Sequence, residues 1–474
     1  MAMSKLAVAG ERPGWADLPR DLLESVLGRL PVPDCLRFPA VCTAWQSAAA
    51  AAAATTTTAA PHQAVLSPWL MLPVNPTTHR HTRSGDADAK LLEARFLSLT
   101  DGRAYAIRQP APAVSDRLCV GSSDGWLITA DAASELQLLN PLSGAQVQLP
   151  SVATLPFVDA SRDADGRVVS YSLRCCFTDD DGNRDEILIP PETFAPDRLR
   201  YELYEKAILV SAPRRPTTSG SWGGYAVLLI YQPLFRLAIA RAGDTKWTLL
   251  DTPARCWVDA VRASSAASAD GRQRQEVYTM DTAGRVEAWD MDATPTPSRV
   301  IAPPCCCSVR ACSMSAECRK YLVELSPGHL LQVHRLRDAA HSRYTWEPRP
   351  ERVEYTTTRV ELFEWKAGAG GRGQWAQVDG KDTGRGVLTG RALFLGKSAS
   401  LCVPVDGGCC PELRGNRVYF TDDGPWSHER CHEVAPDVGV LDLADGSYRQ
   451  PRGAGRDLLW KWPPPVWVFP SLAN

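Results

Sequence analysis

Two clusters of soft and imidazole ligands stand out among the residues able to do chemistry. Cys305, Cys306, Cys307, Cys312 and Cys318 fall in one short stretch, and Cys409, Cys410, His428, Cys431 and His432 in another. A zinc site needs thiolate or imidazole pairs set so that one turn chelates, with about two to four residues between paired cysteines. Cys307 and Cys312 meet that spacing, but no CxxC pair occurs and Cys431-His432 is adjacent. These cysteines therefore read as buried strand residues, and no metal is expected. The eight histidines form no catalytic set: His79 and His81 stand in a polar stretch, and His329 and His334 flank a strand. No GxSxG, HExxH or P-loop appears. Asp179-Asp180-Asp181 and Asp422-Asp423 adjoin turns, where solvated aspartate is the ordinary finding. No catalytic residue and no cofactor are expected.

Charge and hydropathy narrow the classes further. Lys plus Arg is 52 against 54 Asp plus Glu, which argues against nucleic-acid binding by bulk positive charge. No run approaches the roughly 18 apolar residues of a membrane span. Met1 to Gly10 carries one Lys and no apolar core, so no secretory signal is read. Fifteen cysteines in 474 residues without such a signal read as reduced thiols of the cytosol or nucleus.

The chain divides into three zones. In residues 15–50, Leu22, Leu23, Val26, Leu27 and Leu30 repeat along one helical face, after Asp17 as a cap and Pro19 in the first turn. Pro31 and Pro33 stop that helix. Asp34 is placed to cap a second through Leu36 and Phe38, and Val41, Cys42 and Trp45 share one face of a third segment. Three short helices bury little surface alone, so their apolar face is expected to meet a partner. Residues 51–90 read as a low-complexity linker that opens on runs of Ala and Thr.

Residues 91–474 read as β throughout. Asp-Gly occurs nine times, at Asp101, Asp124, Asp165, Asp181, Asp270, Asp379, Asp406, Asp423 and Asp445, and favours tight hairpins. Strand-like runs include 126–129, 136–139, 207–210, 225–231, 236–240, 276–280, 321–325, 330–336, 360–365, 392–395, 417–420 and 438–443. A loose repeat joins one strand by a polar turn to a final strand, as in 136–140 with 146–149, 237–241 with 246–250, and 360–365 with 375–378. Such pairs fit the outer strands of propeller blades, which leave only short protected edges. The expectation is a mainly β fold: a short all-α trihelical unit, then a β-propeller of five to seven blades. A pair of β-sandwiches is the competing fold. Pro463-Pro464-Pro465 leads the last strand, 466–469, back to close the ring.

Leu18-Pro19-Arg20-Asp21-Leu22-Leu23-Glu24-Ser25-Val26-Leu27-Gly28-Arg29-Leu30-Pro31, then Asp34-Cys35-Leu36-Arg37-Phe38 and Val41-Cys42-Thr43-Ala44-Trp45, resemble the F-box in order and spacing. Gln46 departs from it, where the motif usually has a basic residue. The remainder resembles the propeller domain of a large plant family of F-box proteins, long labelled a domain of unknown function and related to kelch-type propellers. Gly125-Trp126-Leu127, Leu139-Asn140-Pro141, residues 390–396, 416–423 and 439–443, and Pro463 to Pro470 carry that likeness; residues 155–350 match more loosely. The resemblance implies a non-catalytic substrate receptor of a Skp–cullin–F-box ubiquitin ligase. A Skp-type adaptor and, through it, a cullin–RING complex would be partners, and the propeller would hold an unknown protein target. Contact or supporting residues would be Leu18, Pro19, Leu22, Leu23, Val26, Leu27, Leu30, Pro31, Leu36, Val41 and Trp45. An adaptor-bound scaffold acting without degradation and a propeller enzyme are the other classes; the latter would need convergent polar groups at one mouth.

Overall fold

The computed structural model describes residues 14–30, 32–55, 68–74, 92–174, 191–214, 222–250, 255–264, 275–293, 296–305, 316–341, 353–368, 373–378, 386–405, 413–424, 436–459 and 462–470. They divide between two compact units, one covering Met1–Ser67 with Pro470–Asn474 and the other Pro68–Phe469.

The small unit is helical. α1 is Arg20–Leu27, α2 is Val32–Arg37 and α3 is Thr43–Thr55. Asp17 does not cap α1: Pro19 holds that position, and the Asp17 carboxylate accepts the Gly14 N–H at 3.0 Å. Asp34 lies inside α2 and pairs with Arg37 at 3.2 Å, so it is no cap either. α3 runs through the alanines and its last residue is Thr55, where β-branched side chains begin to disfavour the helix.

The large unit is built from strands of two to six residues with a few longer ones, nearly all paired antiparallel. Among the described residues six sheets form a closed ring. Blade 1 is ordered Val466–Val468, Trp69–Leu72, Glu93–Ser98, Ala104–Arg108. Blade 2 is Leu118–Ser123, Trp126–Ala130, Leu136–Leu139, Gln146–Gln148. Blade 3 is Tyr204–Ser211, Ala226–Tyr231, Arg236–Arg241, Thr248–Leu249, and blade 4 is Trp257–Arg262, Glu276–Asp281, Val286–Asp290, Ser298–Ala302. Blade 5 is Ala316–Ser326, His329–His341, Val353–Lys366, Gln374–Val378. Blade 6 has five strands, ordered Leu401–Pro404, Arg391–Leu395, Arg417–Phe420, Gly439–Asp442, Tyr448–Arg449; its second and third run parallel. Innermost strands of successive blades pack on one another. Apolar clusters fill the wedges between blades, and the one joining Leu70, Leu97, Phe394, Tyr419 and Trp467 seals blade 6 to blade 1.

The strand Trp69–Leu72 corrects the expected 51–90 linker. Its four side chains are fully buried, and it pairs with Val466–Val468 in the register Trp69↔Val468. A short apolar run beside low-complexity sequence gave no alternation to mark it. The expected closure by the last strand is present, and the blade count is six, within the expected range. A three-stranded sheet, Glu192–Phe194, Val168–Leu173 and Val158–Arg162, and the helix Pro196–Leu203 (α4) stand between blades 2 and 3 in sequence. The loosely matching middle of the chain contains them. Glycine matters at Gly121, where a Cβ would lie 2.0 Å from the Ala207 carbonyl oxygen, so blades 2 and 3 touch backbone to backbone. Asp-Gly turns with left-handed glycines occur at Gly102, Gly125, Gly166 and Gly446. Asp423-Gly424 is not one of them, and the pairs at Asp181, Asp270, Asp379 and Asp406 lie outside the described residues.

Candidate functional site

The helical unit has a very small core. Leu23, Phe38 and Ala48 are buried, with Leu18, Val26, Leu27, Leu30 and Trp45 packed half-buried around them. Phe38 and Trp45 stack at 4.4 Å between ring centroids. The Trp45 indole N–H donates to the Trp15 carbonyl at 3.0 Å. Leu23, 2% exposed, is thus spent inside the unit, whereas Leu22 is 49% and Val41 58% exposed, and Pro19 also faces solvent. Trp15, 77% exposed, extends this surface and was not singled out from the sequence, although a tryptophan just ahead of the Leu-Pro pair was a usable signal. Pro31 and the side chain of Leu36 lie outside the described residues.

The axis of the large unit holds the second candidate. The loop Gly396–Ser400, between the first two strands of blade 6 in chain order, plugs the centre of the ring. The Lys206 ammonium, on blade 3, donates to the Gly396 carbonyl at 3.0 Å and pairs with Asp259 of blade 4 at 2.6 Å. Asp259 is fully buried and also accepts from the Ser400 hydroxyl at 2.9 Å and the Leu322 N–H at 2.8 Å. A buried ion pair is tolerable only with this degree of hydrogen bonding. A Cβ on Gly396 would sit 2.1 Å from the Thr421 hydroxyl, so the loop requires glycine there.

Beside this plug, blades 5 and 6 are joined by buried charge. Arg335 meets Asp437 at 2.6 Å and Asp423 at 3.5 Å, and Arg337 meets Asp422 at 3.1 Å. The Tyr321 hydroxyl donates to Asp423 at 2.7 Å. Burial alone would raise the Asp423 pKa, but Arg319, Arg335, Arg337 and Lys397 bring it down to about 2. Asp422 and Asp423 are therefore not solvated turn residues. They sit in a strand-to-loop joint whose ion-pair partners, Arg335 and Arg337, come from another blade far away in sequence. Asp179-Asp180-Asp181 lies outside the described residues.

An open cavity of about 360 Å³ lies on the axial side of this joint. Glu205 and Lys206 of blade 3, Val258 of blade 4, and Arg319 to Tyr321 of blade 5 contribute to its wall. Its acids are engaged: Glu205 meets Arg319 at 3.3 Å and Lys397 at 3.6 Å. Among the described residues no cluster of three metal-ligating side chains occurs, and no helix is long and apolar enough to cross a membrane. His329 and His334 lie within one strand; His329 pairs with Glu364 at 2.6 Å. Cys305 is disulfide-bonded, which corrects its reading as a reduced thiol. Cys318 and Cys402 lie within strands, half-buried and outside any disulfide. Cys306, Cys307, Cys312, Cys409, Cys410, His428, Cys431 and His432 also lie outside the described residues, as do His79 and His81.

Comparison with known families decides the kinship of this architecture. The KIB1-4 beta-propeller model matches residues 96–442. The chain belongs to the KIB1-4 beta-propeller family. An F-box domain model matches residues 15–51, the helical unit, so an F-box precedes the KIB1-4 propeller. An Arabidopsis thaliana protein named as an F-box protein is 25% identical over 139 residues, covering 29% of this chain and 31% of its own length. Among solved structures, a nidogen/laminin complex aligns over 86% of this chain and 99% of its own at 9% identity and a TM-score of 0.32. The Cps50 (Swd1) β-propeller domain of Myceliophteria thermophila covers 71% of this chain and 86% of its own at 12% identity and a TM-score of 0.24. Similarity that low carries no functional information. The chain thus joins an F-box to a KIB1-4 propeller, and it spans about a third of the length of the curated relative it matches.

Proposed function

We propose that this chain is the non-catalytic receptor subunit of a Skp–cullin–F-box ubiquitin ligase, working in the cytosol or nucleus. The F-box docks on a Skp-type adaptor, and the propeller holds a protein target. One observation carries the reading: the F-box core needs Leu23 and Phe38, yet Leu22 and Val41 stand exposed beside it. Apolar side chains on a helical unit too small to need them fit helix-in-groove docking. Holding a target lysine near a ubiquitin thioester then acts through effective concentration, without chemistry by this chain.

The test is co-purification of the full-length protein with a Skp-type adaptor. Leu22→Asp combined with Val41→Asp places two carboxylates at the apolar contact and is expected to weaken capture by tenfold or more, roughly. Both positions are exposed, so circular dichroism and the melting temperature should not change. Undiminished capture by the folded double variant overturns the proposed interface.

A further inference from the structure

The axial cavity lies wholly within the large unit, so what it binds is independent of the adaptor reading. Its wall has two chemically distinct sides. One carries Lys206, Arg319, Lys320 and Lys397, against two acids, Glu205 and Asp423. Glu205 meets Arg319 and Lys397, Asp423 meets Arg335, and Lys206 is paired with Asp259 behind the wall, so four cations stand against three acids and the wall is cationic by one charge. Lys206 and Lys397 are nearly buried, and burying ammonium groups costs free energy that surface lysines avoid. Lys320 reaches the Thr282 carbonyl at 2.6 Å from the rim.

The other side is apolar: Phe235, Val258 and the Tyr321 ring. Phe235 reaches it from the hairpin loop 232–235, where Leu234 has φ +67° and Phe235 φ +50°. Two consecutive bulky residues in the left-handed region are strained, where Asn and Gly would turn the chain without cost. Strain of this kind is kept where the backbone must present a particular side chain.

We propose that this cavity binds a small organic carboxylate. The apolar body lies against Phe235 and Val258, and the carboxylate lies among Arg319, Lys320 and Lys397. The volume of about 360 Å³ falls at the small end of ligand cavities, enough for one ring and its head group. A guanidinium offers a carboxylate two parallel hydrogen bonds, which gives direction as well as attraction. A free metabolite and the carboxyl terminus of a peptide ending in an apolar residue present the same chemistry.

Calorimetric titration of the full-length protein tests this. The probes are benzoate, its neutral counterpart benzamide, and the peptide acetyl-Ala-Ala-Phe as free acid and as amide. At least one acid should saturate at one per chain, about tenfold or more tighter than its neutral counterpart. Preference for benzoate assigns the site to a free molecule; preference for the peptide acid assigns it to a chain terminus. Lys320→Gln, half-exposed and able to keep the hydrogen bond to Thr282, should weaken the bound acid about threefold or more with an unchanged melt. Arg299→Gln, on the exposed outermost strand of blade 4, should leave it unaltered. The proposal fails if neither acid saturates below about 10 mM, if the neutral probes match the acids, or if the Lys320 and Arg299 variants behave alike.

Discussion

At the residue scale, the groups that decide most are those whose environment is made by distant sequence. His334 is buried on blade 5, its Nε2 3.1 Å from Gln332 Oε1 and its ring 4.6 Å from that of Phe363. Burial first, and Lys320 second, bring its pKa down from 6.5 to about 3. The fold therefore holds a neutral imidazole, while the unfolded chain takes up a proton below about pH 6.5. Stability on this account is full above about pH 6.5 and falls as the pH drops toward 3. The slope is about 1.4 kcal/mol per pH unit, or about 2 kcal/mol between pH 7 and pH 5. His334→Gln should lose that much less than the parent over the same interval. Urea unfolding at the two pH values measures it, and equal losses in both proteins would sink the assignment. The same distance in sequence explains why Asp422-Asp423 read as turn residues. Their partners Arg335 and Arg337 belong to another blade, and nothing local to an Asp-Asp-Gly triplet announces two buried guanidinium groups.

At the element scale, local pattern was enough for most of the propeller. Runs such as 136–139 and 417–420 coincide with strands because three apolar or aromatic residues out of four, set between turn formers, have few alternatives. The outer-strand pairs, including 360–365 with 375–378, also hydrogen-bond as the repeat implied. What pattern could not supply was partnership between the two ends of the chain. Trp69–Leu72 has no periodicity of its own and becomes a strand because Val466–Val468 and Glu93–Ser98 flank it. This closure concentrates on Trp467, fully buried, with Phe394 at 5.1 Å and Tyr419 at 6.2 Å between ring centroids. Trp467→Ala removes the side chain that fills the wedge between blades 6 and 1, and is expected to cost about 3–5 kcal/mol. Equilibrium denaturation gives the value directly. A loss below about 1 kcal/mol would mean that the ring is held shut elsewhere.

At the scale of the whole molecule, two units of very unequal core share one chain. Among the described residues the propeller carries a buried cluster at each junction from blade 2 round to blade 1, whereas the F-box rests on Leu23, Phe38 and Ala48 with a half-buried surround. The helical periodicity that made this unit legible in the sequence could not separate Leu23, which faces inward, from Leu22, which faces solvent one residue away. Both fall within a broad apolar stripe, and only packing against Phe38 chooses between them. A unit of that size is marginal alone, because little of its surface is removed from water. Amide exchange should accordingly be fast over α1 to α3 in the isolated protein and slow over the inner blade strands. A ligand that binds only the folded form stabilises it by mass action, about 2.7 kcal/mol at a hundredfold excess over Kd. Saturating Skp-type adaptor should therefore slow exchange in α1 to α3 by about a hundredfold and leave the blades unchanged. Hydrogen–deuterium exchange read by mass spectrometry resolves the two regions in one experiment. Helices already as protected as the blades in the free protein would show that the F-box needs no partner to be stable, and its exposed leucine and valine would then require another explanation.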